Sequence, residues 1–291
     1  MTRGGVAGSW AGGPVLAVGP IGLVSNVWAH QLDRGAALGD LLSRAAEHGV
    51  RLVELRQGSL GSLEDPRRLP DVAGLAAVAA AHPSLAFIPA YEVPFLDDRT
   101  TADHASFAAA RNLALAVAGR HPPHLRLVDL ETEATAAAAG TAAVGLSRLA
   151  EAMAAVDGVL SVENARQGWG PLWAAVTAAH RQLGDRAGAL QLCFDPCNLS
   201  WLADEEGGDP VRLLGALPPA AIGMIHCKQQ IGGDLQPVVG PGAVDWRGLL
   251  RAIAANHGAT PFVFEMASGP RVWEYLGQSL SFLQGLGIPD N

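Results

Sequence analysis

The sequence has few aromatic side chains, only three cysteines and no long apolar run. The cysteines are Cys193, Cys197 and Cys227, an odd and small number that favours a reduced, cytoplasmic protein over a disulfide-stapled secreted one. Glycine, proline and polar residues interrupt every apolar run before the roughly 20 residues of a membrane span, so we expect no membrane association. The same residues follow Arg3 closely and argue against a signal peptide.

Basic residues are also scarce, because 20 Lys and Arg stand against 28 Asp and Glu, for a formal net charge of −8. Nucleic-acid-binding proteins contact phosphates through clustered basic residues, and Arg67-Arg68 is the longest basic run here. We therefore expect no nucleic-acid partner. The absence of a basic cluster and of a Gly-rich phosphate loop favours an unphosphorylated small-molecule ligand.

Eight strand-like runs alternate with amphipathic helical patterns along the chain. The runs cover residues 21–25, 50–56, 85–90, 125–130, 158–163, 190–195, 221–226 and 261–265. Such alternation predicts parallel strands joined by helical crossovers, and eight units predict closure into a single (β/α)8 TIM barrel. We assign the barrel domain to residues 21–291 and a Gly- and Ala-rich flexible leader to residues 1–20.

The last four strand-like runs each end in a side chain that can bind a metal: Glu163, Asp195, His226 and Glu265. Active sites of such barrels lie at the carboxyl ends of the strands, so we expect these four to meet. Three carboxylates and one imidazole suit one hard divalent ion, Mn²⁺ first, with Mg²⁺, Co²⁺ and Zn²⁺ as alternatives. The competing interpretation is that each residue meets solvent or an ion-pair partner.

Strand alternation also predicts what lies below this site. Residues two positions earlier point into the barrel one layer deeper. They are Ser161, Cys193, Met224 and Val263, all small or apolar. We expect them to form the floor of the site, with the cysteines as core neighbours and not as metal ligands.

Four segments around these residues, 162–164, 194–198, 225–228 and 264–266, resemble the xylose isomerase-like family, which includes sugar isomerases, epimerases and the endonuclease IV group. Residues 240–246 are similar to the family's Gly-x-Gly-x-x-Asp-Trp segment, in which we expect Asp245 to cap a helix. The resemblance implies a xylose isomerase-like barrel. It also implies metal ligation by Glu163, Asp195, His226 and Glu265.

In the epimerase branch the two glutamates at the metal also move protons, which implies catalytic roles for Glu163 and Glu265. A divalent cation acidifies the hydrogen beside a ketose carbonyl, and carboxylates on opposite faces can remove and return a proton. We therefore expect a metal-dependent isomerase or epimerase of a small sugar, ketose or sugar-derived acid, acting through an enediolate. A lyase (a dehydratase or decarboxylase) is the alternative, because an enediolate collapses in several ways.

The sequence departs from the family at two positions. Asn198 stands where members often carry His, and Gln229 stands where Asp follows the lysine, here Lys228. Both changes leave the substrate and the reaction type open. We expect Asn198 and Lys228 to hold substrate oxygens, with a solvated loop lysine as the alternative for Lys228.

Four residues of the first half are further substrate-binding candidates. Glu54 and Arg56 share one face of the second strand, where they bind substrate or pair with each other. Trp28 and His30 follow the first strand, where they wall a sugar pocket or serve packing.

Two other classes compete with a sugar enzyme. An endonuclease IV-like phosphodiesterase needs extra histidines that this sequence lacks, since its second strand ends in Glu54-Leu55-Arg56 and its sixth is followed by Asn198. The second competing class is a non-catalytic barrel that has kept the metal site. The sequence leaves homo-oligomerisation open.

Overall fold

A computed structural model of the chain describes residues 19–132, 138–200, 202 and 208–287. Residues 1–18 of the expected leader lie outside this part. Within it, eight parallel strands close into a barrel, each paired with the next in the chain and the last paired with the first. This confirms the predicted (β/α)8 architecture. No helix among the described residues is both long and apolar enough to cross a membrane.

All eight predicted strands are present, with ends that shift by a few residues. They are β1 (Ile21–Val24), β2 (Leu52–Arg56), β3 (Ala86–Glu92), β4 (His124–Val128), β5 (Val159–Glu163), β6 (Leu190–Phe194), β7 (Ile222–Cys227) and β10 (Phe262–Phe264). A short antiparallel hairpin after β7, β8 (Gln230–Ile231) with β9 (Asp234–Leu235), was not predicted.

Helices cover the outside of the barrel. Those described are α1 (Ala29–Leu32), α2 (Leu38–Glu47), α3 (Val72–Ala81), α4 (Ala105–Val117), α5 (Ala139–Ala154), α6 (Trp169–Leu183), α7 (Pro196–Leu199), α8 (Pro210–Ala216), α9 (Trp246–Asn256) and α10 (Val272–Gly285). In α2 the apolar residues recur every three or four positions, and this stripe is buried against the strands. Asp245 caps α9 by accepting a hydrogen bond from the Gly248 backbone, as predicted.

The interior of the barrel is filled by a compact apolar layer. It consists of Val24, Leu52, Ile88, Cys193, Met224 and Val263, all buried. The predicted floor is thereby confirmed for Cys193, Met224 and Val263. Burying such side chains contributes about 1.5–3 kcal/mol each, so this layer both stabilises the barrel and closes the polar site above it.

A small polar layer lies on the other side of this floor. Ser161 Oγ is 2.8 Å from Nε2 of the partly buried His124, and Ser161 approaches the backbone of β7 at Gly223. A Cβ at Gly223 would collide with Ser161 Oγ and with the Gln191 side chain. Glycine is therefore required here by the close approach of the neighbouring strand.

His124 makes the stability of the fold dependent on pH. Burial lowers the pKa of His124 to about 4, which the negative charge of Glu54 only partly offsets. Because this folded-state pKa lies below the unfolded value of about 6.5, the unfolded chain takes up the proton first. Stability is full above pH 6.5 and falls as the pH drops towards 4.

We expect His124→Gln to remove this part of the acid sensitivity. Urea unfolding at pH 7 and pH 4.5 measures it, with the exposed His121→Gln as the matched control. An equal loss of stability on acidification in the wild type and in His124→Gln would contradict the assignment.

Candidate metal centre

The structure brings the four predicted ligand residues together at the carboxyl ends of consecutive strands. Glu163 ends β5, Asp195 follows β6, His226 lies near the end of β7 and Glu265 follows β10. One ligand atom from each lies within 4.8 Å of the others, and all four side chains are buried. Asp195 is held by Oδ1, which accepts hydrogen bonds from the Cys197 and Asn198 backbone amides at 2.9 Å. Its Oδ2 thus points to the cluster.

His226 is oriented by a carboxylate on the opposite side of the ring. Its Nε2 lies 2.9 Å from Glu54 Oε1, so Nε2 carries the proton and donates to Glu54. Its Nδ1 makes no hydrogen bond within the described structure and lies 3.6 Å from one oxygen each of Glu163, Asp195 and Glu265. A lone pair that faces three carboxylate oxygens is the arrangement that a bound cation stabilises.

Arg126 forms a buried bridge beneath this cluster. It lies in β4, is 3% exposed, and places Nη2 at 3.0 Å from Glu54 Oε2 and Nη1 at 2.8 Å from Glu163 Oε2. Burial opposes the charged form of Glu54, but Arg126 and His226 outweigh it and lower the pKa of Glu54 to about 2. Arg126 was not among the predicted site residues. The sequence does place this charged residue at an interior position of the strand, between the outward-facing Leu125 and Leu127.

This geometry corrects the predicted pairing of Glu54 with Arg56. Glu54 is fully buried, and both of its oxygens are taken by Arg126 and His226. Arg56 instead contacts Glu265, with Nη1 3.1 Å from Oε1. Although the two side chains alternate to the same face, Arg56 reaches the mouth of the barrel while Glu54 turns inwards to the centre. Glu54 therefore has no free oxygen for a substrate.

Lys228 and Asn198 both contact the cluster. Lys228 is 6% exposed, with Nζ 2.7 Å from Asp195 Oδ2 and 3.3 Å from Glu265 Oε2, which excludes the solvated-loop alternative. Burial lowers the pKa of Lys228, but the negative charges of Asp195 and Glu265 raise it by more. The net effect is a raised pKa, so the ammonium group stays charged. Asn198 Nδ2 donates to Glu163 Oε1 at 3.1 Å. Both residues therefore point where a substrate at the metal would lie.

Trp28 and His30 do not contact the cluster. Trp28 is fully buried and packs on Trp273 with ring centroids 6.1 Å apart, so it cannot wall a substrate pocket. The short 3-10 helix Ser25–Trp28 turns its ring into the core. His30 lines a separate, shallow depression with Gln31 and Pro270. In their place Asn26 reaches the site, with Nδ2 3.5 Å from Glu265 Oε1.

The charges around the cluster favour a bound positive charge. Four buried carboxylates (Glu54, Glu163, Asp195, Glu265) face three basic side chains (Arg56, Arg126, Lys228). One negative charge is thus uncompensated when His226 is neutral. Burial works against the imidazolium, yet the carboxylates of Glu54 and Glu163 raise the pKa of His226 well above its ordinary value. The site therefore attracts a positive charge, as a proton or as a metal ion.

The cysteines do not supply this site with thiolates. All three are free and buried, and burial raises the pKa of the Cys193 thiol to about 12. Cys193 does lie close to Glu54 and His226, beneath the cluster. As a neutral thiol in the apolar floor it is a packing neighbour of the centre.

The sequence matches no family model and no curated protein. Solved structures do resemble it. A D-tagatose 3-epimerase-like protein aligns with a TM-score of 0.64 at 12% identity, over 92% of this chain and 98% of that one. A xylose isomerase domain-containing protein from Salmonella typhimurium aligns with a TM-score of 0.62 at 16% identity, over 90% and 96%.

A probable 3-DHS dehydratase, AsbF, from Bacillus anthracis aligns with a TM-score of 0.61 at 14% identity, over 91% of this chain and 98% of that one. At such identities the similarity extends to the fold alone. The similar folds agree with the closed eight-stranded barrel and with the resemblance of the four sequence segments. The chain has the xylose isomerase-like TIM-barrel fold.

Proposed function

We propose that this protein is a divalent-metal-dependent isomerase or epimerase of a small ketose or sugar-derived acid that acts through an enediolate. One observation carries the proposal. The ligand atoms of Glu163, Asp195, His226 and Glu265 converge within 4.8 Å at the carboxyl ends of the strands, around an imidazole nitrogen that makes no hydrogen bond with any described residue. We assign the metal to these four residues and favour Mn²⁺ because three donors are carboxylates.

The two glutamates are the proton-transfer groups of this proposal. When bound, the ion would polarise a substrate carbonyl and an adjacent hydroxyl. Glu163 ends β5 and Glu265 follows β10, and two strands separate β5 from β10 in the barrel, so the two carboxylates approach the centre from different sides. One, as a carboxylate, removes the proton from carbon, and the other, protonated from solvent, delivers a proton to the opposite face. Lys228, between Asp195 and Glu265, places a positive charge beside the developing enediolate oxygen.

The similar structures support this class of reaction. They include an L-ribulose 3-epimerase, which aligns with a TM-score of 0.54 at 20% identity, over 94% of this chain and 88% of that one. The probable dehydratase among them keeps a lyase as the second candidate. A non-catalytic barrel is disfavoured by the convergence of lysine, asparagine and arginine side chains on the cluster.

Metal content tests the proposal first. We expect about one divalent ion per chain after loading with Mn²⁺, Mg²⁺, Co²⁺ or Zn²⁺, and no bound ion in His226→Ala. His257→Ala is the matched control, because His257 is also buried but contacts only the Leu214 carbonyl in the described structure. The loaded protein is then incubated with ketoses and keto-acids in D₂O. Deuterium at the carbon next to the carbonyl supports the enediolate.

No ion under any loading would overturn the proposal. If the protein binds two or three zinc ions and shows phosphodiesterase activity, an endonuclease IV-like function replaces this proposal. A product that has lost water or CO₂ would favour the lyase.

Glu54 is expected to act on the metal through His226. Glu54→Gln keeps an oxygen that accepts from Nε2 but removes the charge that makes the imidazole a strong donor. We expect metal affinity to fall about 10–100-fold, measured by competition with a chelating dye. Glu64→Gln is the control, because Glu64 accepts from the Gly58 backbone at 2.7 Å, outside the cluster. Equal affinities in the two variants would contradict this role.

We also propose a cytoplasmic location, which the three free, buried cysteines support. The partner in this proposal is the small-molecule substrate.

A further inference from the structure

A small cavity of about 180 Å³ opens beside the candidate metal centre, over the ends of β2, β3 and β4. Three arginines line it, Arg56, Arg68 and Arg126, with one carboxylate, Glu92. Glu92 is exposed to solvent, whereas Tyr91 and Arg126 are buried. In a protein with 20 Lys and Arg among 291 residues, this is a local concentration of guanidinium groups.

The cavity shares two walls with the metal centre. Arg56 lies 3.1 Å from Glu265, and Arg126 lies 2.8 Å from Glu163. The cavity therefore adjoins both glutamates through these two side chains, within reach of a molecule that would react between them.

The three arginines differ in how many N–H donors remain free for a ligand. Arg126 commits Nε and Nη2 to Glu54 and Nη1 to Glu163, so it is structural. Arg56 uses only Nη1 in the contacts described here, and its side chain is 39% exposed. Arg68 is exposed and makes no ion pair shorter than 4 Å with any described residue. Arg56 and Arg68 thus retain N–H donors for a ligand.

The backbone around Arg68 fixes the direction of its side chain. Arg68 has φ +60°, an uncommon value for a non-glycine residue, and its amide donates to the Asp65 carbonyl at 2.8 Å. Its guanidinium lies over Gly58, where an added Cβ would be 3.6 Å from Nε. The adjacent Arg67 points away and pairs with Asp65 at 80% exposure. The two neighbours thus make a natural comparison.

We propose that Arg56 and Arg68 bind a carboxylate of the substrate, which makes the substrate a keto sugar acid. This inference rests on the proposed function and specifies its substrate class. Guanidinium groups match the planar fork of a carboxylate, and such charged hydrogen bonds are about twice as strong as neutral ones. The cavity is smaller than the roughly 300 Å³ of a whole ligand pocket, so it takes the acidic end while the ketone lies at the metal.

Calorimetric binding to the metal-loaded protein tests this with three probes that differ only at carbon 6. They are D-fructuronate, D-fructose and D-fructose 6-phosphate, which carry a carboxylate, a hydroxymethyl and a phosphate group. We expect D-fructuronate to bind at least about ten-fold more tightly than D-fructose. Arg56→Gln and Arg68→Gln should each remove most of this preference. Arg67→Gln should keep it, and thermal unfolding checks that all three variants fold.

Equal binding of D-fructuronate and D-fructose to the wild type would overturn the proposal. So would a preference that survives in both Arg56→Gln and Arg68→Gln. Tighter binding of D-fructose 6-phosphate than of D-fructuronate would overturn the carboxylate in favour of a phosphate. An arginine-dependent preference for D-fructuronate without any metal uptake would support the carboxylate site while it overturns the metal chemistry, so the two failures are distinguishable.

Discussion

Replacing Arg126 by methionine is expected to lower the free energy of unfolding by roughly 3–5 kcal/mol. Arg126 is 3% exposed and neutralises two buried carboxylates, Glu54 and Glu163. Methionine fills similar space but leaves both carboxylates without this partner in a region that water does not reach. Urea unfolding at pH 7 measures the loss.

Two controls separate this effect from the loss of any ion pair. Arg186→Met breaks a pair with Glu151 at 2.7 Å whose side chains are 56% and 45% exposed, so we expect less than about 1 kcal/mol. Adding Glu54→Gln to Arg126→Met removes one stranded charge and should restore part of the stability. A loss as small as that of Arg186→Met, or no recovery in the double variant, would show that the Arg126 bridge does not stabilise the fold to this extent.

The sequence predicted the strands and the four cluster residues because both depend on local pattern. Apolar runs of strand length define β5, β6, β7 and β10, and barrel geometry requires that their carboxyl ends meet. The residue at each end therefore enters one site whatever the rest of the chain does. The same reasoning placed Cys193 and Met224 in the floor, because alternation along a strand has a period of two.

The ionic partners could not be predicted in this way. Alternation places Glu54 and Arg56 on one face, but it does not tell which side chain from another strand reaches them. Glu54 pairs with Arg126 across 72 residues of sequence, and Arg56 pairs with Glu265 across 209. Such distances are set by the closed barrel, in which a buried carboxylate takes the nearest desolvated cation.

Trp28 shows the same limit for packing. It follows the first strand, as residues of a substrate pocket do, but the 3-10 helix between them rotates its ring into the core against Trp273. A short helical turn of Ser-Asn-Val-Trp has no strong sequence signal. The position after a strand therefore indicated proximity to the site, and only the backbone conformation decided which way the side chain faces.

Replacing either proposed proton-transfer residue is expected to lower kcat about 10²–10⁴-fold on the substrate found by the D₂O panel. In Glu163→Gln and Glu265→Gln the amide oxygen still reaches the metal, but it cannot accept a proton from carbon. Metal content should therefore be largely kept while kcat and deuterium incorporation fall together. Glu274→Gln, on the exposed face of α10, is the control that should leave both unchanged.

A variant that carries both Glu163→Gln and Glu265→Gln tests whether the two glutamates act in the same proton-transfer reaction. If one glutamate removes a proton and the other delivers a different proton within one reaction, the second loss adds little once the first step is blocked, so the two effects should be far from multiplicative. Multiplicative losses would indicate independent roles, such as one base and one residue that only positions the metal. Unchanged kcat in both single variants with metal still bound would assign proton transfer elsewhere. Lys228, 3.3 Å from Glu265 and 2.7 Å from Asp195, would then be the next group to replace.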